Sequence, residues 1–101
     1  MKEHTTEESK VADLKHRYGG RISADVRGSD AIAMTVIVAN LMKEWNPILA
    51  SVSDLKEIMG TPTKEESGVL EYMFDRGSDG NLWRFTVLDD IIAGVEWVPL
   101  D

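Results

Sequence analysis

The stretch that decides the fold is Ser51-Val52-Ser53-Asp54-Leu55-Lys56-Glu57-Ile58-Met59-Gly60-Thr61-Pro62. A serine at 51 or 53 supplies an N-cap, because its hydroxyl can accept from an amide of the first turn. Leu55, Ile58 and Met59 then fall on one helical face, and Val52 is placed as a staple residue before the cap. Gly60 and Pro62 stop the helix, with Gly60 expected at positive φ. Three strand-prone segments follow: Val69–Asp75, Leu82–Leu88 and Ile91–Val98. A short helix followed by closely spaced strands predicts a helix lying on an antiparallel meander.

Alternation within the strands sets their faces. Leu70, Tyr72 and Phe74 share one side of the first, with Val69, Glu71, Met73 and Asp75 on the other. In the second, Trp83, Phe85 and Val87 oppose Leu82, Arg84, Thr86 and Leu88. The cluster 76–80 reads as one turn and Asp89-Asp90 as a tight one, while Pro99 is expected to end the last ladder. Thr63–Gly68 reads as a polar loop. The expected core joins Leu70, Tyr72, Phe85 and Trp97 to Leu55 and Ile58.

Upstream, Thr5 or Thr6 opens a helix over Thr6–Tyr18, with Val11, Leu14 and Tyr18 as a narrow apolar stripe. Gly19-Gly20 ends it, one of them in the left-handed conformation. Residues 1–4 are expected to be a tail. Arg21–Arg27 alternates as a weak strand or an extended linker. Ser29 or Asp30 caps the next element, Ala31–Trp45. Its β-branched residues suit a strand, but its length favours a helix, with Ile32, Val36, Ala39 and Met42 on one face. Asn46-Pro47 stops it. The fold class is therefore α+β: two to three short helices on one face of a three- to four-stranded antiparallel sheet, in one domain spanning 1–101.

Composition narrows the function. The 101 residues include no cysteine, which removes disulfides, thiol nucleophiles and cysteine-held metals. The two histidines, His4 and His16, lack metal-site spacing, and the acidic 75–81 turn lacks the order of a calcium loop. No phosphate-binding glycine pattern occurs. Neither a catalytic residue, a cofactor nor a metal is expected, and the chain reads as non-enzymatic. The first eight residues contain no apolar signal-peptide core and no segment is long enough to span a membrane, which predicts a cytoplasmic protein.

Net charge is −7, and it is uneven. Residues 1–43 carry 7 basic and 6 acidic side chains, whereas residues 44–101 carry 4 and 12. An acidic sheet half repels phosphates and anionic lipid and attracts a basic protein. The expected partner surface therefore lies there, using Glu71, Asp75, Asp79, Asp89, Asp90 and Glu96, with Trp83 or Trp97 as aromatic anchor.

One resemblance rests on these same residues. Met59-Gly60-Thr61-Pro62, Leu70-Glu71-Tyr72, Leu82-Trp83-Arg84-Phe85 and Asp90-Ile91-Ile92-Ala93-Gly94-Val95 resemble the small-protein-A/outer-membrane-lipoprotein-A group and the beta-lactamase-inhibitor-protein fold. The resemblance covers the last half of the chain, where the unit occurs once. It implies two small helices on an antiparallel sheet, and a non-catalytic protein that binds other proteins through the sheet or its loops. An immunity or inhibitor protein that neutralises a basic toxin or enzyme is the function expected. An assembly subunit and a small-molecule-binding domain are the alternatives.

Overall fold

The structure is a computed structural model, and it describes residues 6–19, 21–22, 29–75 and 80–100. Three helices, α1 (Thr6–Tyr18), α2 (Ser29–Glu44) and α3 (Val52–Met59), precede four strands. The strands are β1 (Lys64–Glu66), β2 (Val69–Asp75), β3 (Gly80–Leu88) and β4 (Ile91–Leu100). They form an open antiparallel meander in the order β1-β2-β3-β4. This is the α+β class predicted.

The helix α3 forms as its sequence dictates. The Ser51 hydroxyl accepts from the Asp54 amide at 3.0 Å, and Leu55, Ile58 and Met59 are buried. Burying such side chains contributes ~1.5–3 kcal/mol each. Val52 is the first helical residue rather than the one before the cap, so it does not act as a staple. Gly60 ends the helix at φ 85 and ψ −164, a region open in practice only to glycine. Its amide still reaches the Lys56 carbonyl at 2.7 Å.

The core lies between the helices and one face of the sheet. Leu70, Tyr72, Phe74 and Phe85 meet Leu14, Val38, Leu41, Leu55 and Ile58 there. Tyr72 and Phe85 form an edge-to-face pair with ring centroids 5.8 Å apart. The Tyr72 hydroxyl donates to the Gly60 carbonyl at 2.6 Å, tying β2 to the end of α3. Gly19 is required by close packing: a Cβ there would lie 2.3 Å from the Lys15 carbonyl oxygen and 3.2 Å from that of Glu57. No left-handed conformation is seen at Gly19, and Gly20 lies outside the described residues.

Several expectations are corrected. Lys64–Glu66 is a strand, not loop; it pairs with β2 through its backbone and its three side chains are exposed, so no apolar alternation marks it. Pro99 does not end the last ladder but pairs with Asn81 inside β4. Trp97 is 51% exposed on the outer strand instead of sealed in the core. In α2 the buried stripe is Ala31, Val38 and Leu41, while Ile32 and Val36 are exposed. Between Ala31 and Met42 only Thr35 and Asn40 are polar, so apolar residues surround the helix and periodicity does not fix its rotation. The helix also begins at Ser29, which places Ser29 and Asp30 within its first turn. The alternating segment at 23–27 and the turn at 76–79 lie outside the described residues.

Candidate protein-binding surface

The eight residues expected to meet a partner are spread over both faces and both ends of the sheet. Glu71, Arg84 and Glu96 stand directly opposite one another on the face away from the helices. The Arg84 guanidinium donates to Glu71 at 2.8 Å and to Glu96 at 3.1 Å, so one cation is shared by two carboxylates and the row keeps a net negative charge. Bonding to Glu71, and then to Glu96, raises the Arg84 pKa further above its ordinary value. Trp83 and Trp97 are paired across β3 and β4 on the helix-bearing face; Trp83 is partly buried against the core. Asp75 closes β2, and Asp79 lies outside the described residues. Asp89 and Asp90 form the β3–β4 turn at the far end of β3, roughly 25–30 Å from the β2–β3 turn.

That far end holds a surface not visible in the strand pattern. Asp89 and Asp90 adopt φ values of 55 and 64, the left-handed pair of a two-residue hairpin. Aspartate tolerates this region better than most residues. The segment 49–52 runs beside the start of β4. Leu49 donates its amide to Ile92 at 2.8 Å, Ile92 to Ala50 at 2.8 Å, and Val52 to Asp90 at 2.9 Å. The Asn46 side chain accepts from the Ile48 amide at 3.0 Å, and Ala50 donates to Pro47 at 2.9 Å. These bonds hold Leu49 at φ 78, a strained value that costs ~1–2 kcal/mol outside glycine. The result is an apolar knuckle: Leu49 is 79% exposed and Ile48 is 43% exposed.

Beside the knuckle lies a cleft of about 600 Å³ between α1 and this segment, lined by Val11, Ala12, Trp45, Ile48 and Leu49. Lys15 and Asp54 line its polar side. The Lys15 ammonium lies 2.8 Å from Asp54 and 3.4 Å from Glu57. The hydrogen bond to Asp54 raises its pKa, so it stays charged. A shallower groove joins Ser51, Val52, Lys56, Glu57 and Asp90, and Lys56 is bonded to Glu65 at 2.8 Å. Both lysines of this region are thus engaged with acids. Asp89 and Asp90 have no ion-pair partner among the described residues, and both are exposed. An aliphatic tip, a cleft and exposed carboxylates flank the segment 49–52 and the start of β4.

A second polar cluster clasps α1 to α2. Arg17 binds both carboxylate oxygens of Glu44, at 2.7 and 3.2 Å, as well as Asp13 at 2.8 Å. The Tyr18 hydroxyl donates to Glu44 as well. Arg17, followed by Tyr18, holds the Glu44 carboxyl at about 2. The groups satisfy one another, and the clasp joins two helices.

Sequence reasoning missed Ile48, Leu49, Lys15 and Asp54. Ile48 and Leu49 follow the helix-stopping Asn46-Pro47, and nothing local shows that β4 would pin them outward. The one available signal was two large aliphatic residues next to a proline turn. Among the described residues there is no group of three or more potential metal ligands, and no helix is long and apolar enough to cross a membrane. Comparison with protein-family models, characterised proteins and solved structures found no match.

Proposed function

We propose that this domain is a non-catalytic protein-binding module, and that it acts as an immunity or inhibitor protein against a basic toxin or enzyme. One observation carries the reading: the exposed, strained Leu49 knuckle borders an apolar cleft and sits on the segment whose other end, at Val52, is bonded to the exposed Asp89-Asp90 turn. Backbone strain at an exposed apolar tip is retained where the surrounding structure over-determines it, and such positions concentrate at binding sites. An aliphatic anchor with an acidic rim suits a cationic surface, which the rim would steer into contact. The helix-then-meander order also agrees with the resemblance to the small-protein-A and beta-lactamase-inhibitor group, whose members bind proteins through the sheet or its loops.

The test is affinity capture from the source cells with three baits: the wild-type chain, Leu49→Gly, and the double variant Asp89→Lys/Asp90→Lys. Glycine at 49 accepts φ 78 without strain, so the variant keeps the fold and loses only the tip. A basic protein that both variants fail to retain, and whose activity the wild-type chain suppresses, is the expected result. A protein retained equally by all three baits would place the interface elsewhere. A stoichiometric multisubunit complex with no suppressed activity would favour the assembly reading. A bound metabolite in native mass spectrometry would favour the small-molecule reading.

A further inference from the structure

The strand β4 forms one edge of the sheet, and among the described residues only its start is covered. The segment 49–52 pairs with the region 90–92, and no described residue bonds the free side of β4 beyond that point. The Ile92 amide and carbonyl both face that free side. The register then slips by one residue at Ala93, because Thr86 pairs with Gly94 and Val87 with Ile92. Counting alternation across this extra residue, the outward groups are the amides and carbonyls of Val95 and Trp97 and the carbonyl of Pro99. Proline has no N–H, so position 99 adds no further unmatched donor to the Val95 and Trp97 amides. The helix-bearing face of this edge carries the half-exposed Trp97 ring. The other face carries Glu96, which gives one carboxylate oxygen to Arg84 and no other bond among the described residues.

A second copy of this chain fits the edge poorly. In an antiparallel pairing centred on Glu96, the two Glu96 side chains stand directly opposite, which is destabilising. Centred on Trp97, each Val95 meets a proline of the other copy and loses one of its two bonds. Both defects vanish for a different strand that places a cation opposite Glu96.

We propose that the free edge of β4 receives an extended apolar–basic–apolar segment of a partner protein. The backbone of the segment pairs with Val95 and Trp97. Its cation stands against Glu96, and its apolar residues cover Val95 and the exposed side of Trp97. This deepens the protein-binding reading by giving the partner's chemistry at the stretch of β4 edge that continues past the Leu49 knuckle, and it rests on that reading only in taking the partner to be a protein.

The test titrates the ¹⁵N-labelled full chain with two blocked peptides, Ac-Thr-Val-Lys-Val-Thr-Val-Thr-NH2 and its counterpart with glutamate in place of lysine. The lysine peptide is expected to shift the Val95 and Trp97 amides, slow their hydrogen exchange, and bind ~5-fold tighter than the glutamate peptide. Glu96→Lys should reverse that order. Val95→Pro should abolish binding, since it deletes an outward N–H as Pro99 already does. Should Val95→Pro fail to fold, the charge reversal at 96 decides alone. Silence at Val95 and Trp97, equal affinity for the two peptides, or an order unchanged in Glu96→Lys would each overturn the proposal. Shifts confined to Ile48, Leu49, Asp89 and Asp90 would overturn it too, while leaving the knuckle reading intact.

Discussion

Tyr72→Phe probes the joint between helix and sheet. The ring is fully buried and keeps its edge-to-face contact with Phe85 when the hydroxyl is removed. What is lost is the 2.6 Å bond to the Gly60 carbonyl. A net hydrogen bond is worth ~1 kcal/mol, and a half-buried acceptor left without its donor raises the loss to ~1–2 kcal/mol. With a urea m-value of about 1.5 kcal/mol/M, the midpoint should fall by ~1 M at pH 7. The hydroxyl has a second signature at high pH. Burial, and then the Glu65 carboxylate, push the Tyr72 pKa well above its ordinary value of 10.0. The native state therefore holds this proton longer than the unfolded chain does. The stability from Tyr72 is complete below pH ~10 and is lost as pH climbs toward the raised native value, at up to ~1.4 kcal/mol per pH unit. Phenylalanine has no proton to lose. The gap between wild type and variant should narrow from pH 10 upward and then reverse. Urea denaturation followed by tryptophan fluorescence at pH 7, 10, 11 and 11.5 measures both effects. Equal midpoints at pH 7, or a gap that stays constant to pH 11.5, would refute the bond and the burial argument together.

Two further changes test other parts of the fold. Gly60→Ala should destabilise by ~1–3 kcal/mol in thermal or urea unfolding, because φ 85 with ψ −164 is strained for alanine and its Cβ would lie 3.3 Å from the Ile22 carbonyl oxygen; wild-type stability would show that the chain can relax there. Glu44→Gln should flatten the acid limb of the stability profile. The Glu44 pKa is depressed to about 2 from 4.5, so its contribution is present above pH ~4.5 and is lost as pH falls toward 2. An unchanged slope between pH 4.5 and 2.5, read by circular dichroism, would mean the Arg17–Glu44 clasp does not persist in solution.

Most of the fold could be read from local signals because most of it is locally specified. Ser51 caps α3, Gly60 ends it, and Leu70, Tyr72 and Phe74 point inward as their alternation requires. The misses share one cause. Lys64–Glu66 forms a strand through backbone pairing to β2 while all three side chains stay in water, so its sequence carries no period. In α2, apolar residues occupy nearly the whole circumference, and packing on the sheet chooses Ala31, Val38 and Leu41 over Ile32 and Val36. Trp97 has the right parity for the core, but it lies on the edge strand, where no further strand among the described residues flanks it.

The candidate site was hidden for a related reason. Its acids were found because charge can be counted along a chain, and Asp89-Asp90 was found because a two-residue turn is a local motif. The apolar half was not. Leu49 is exposed because Ile92, 43 positions later, accepts its amide and returns its own to Ala50. In isolation the segment 46–50 would be free to turn Leu49 inward, relieving both the exposure and the strained φ. The pairing with β4 removes that freedom, which makes the knuckle a consequence of the finished sheet. The same pairing explains why β4 is covered at its start and open from Ala93 on. The segment runs antiparallel to β4, from Leu49 beside Ile92 to Val52 beside Asp90, and the chain before Leu49 bends off through the Pro47 turn, leaving the next outward groups, those of Val95 and Trp97, for another strand.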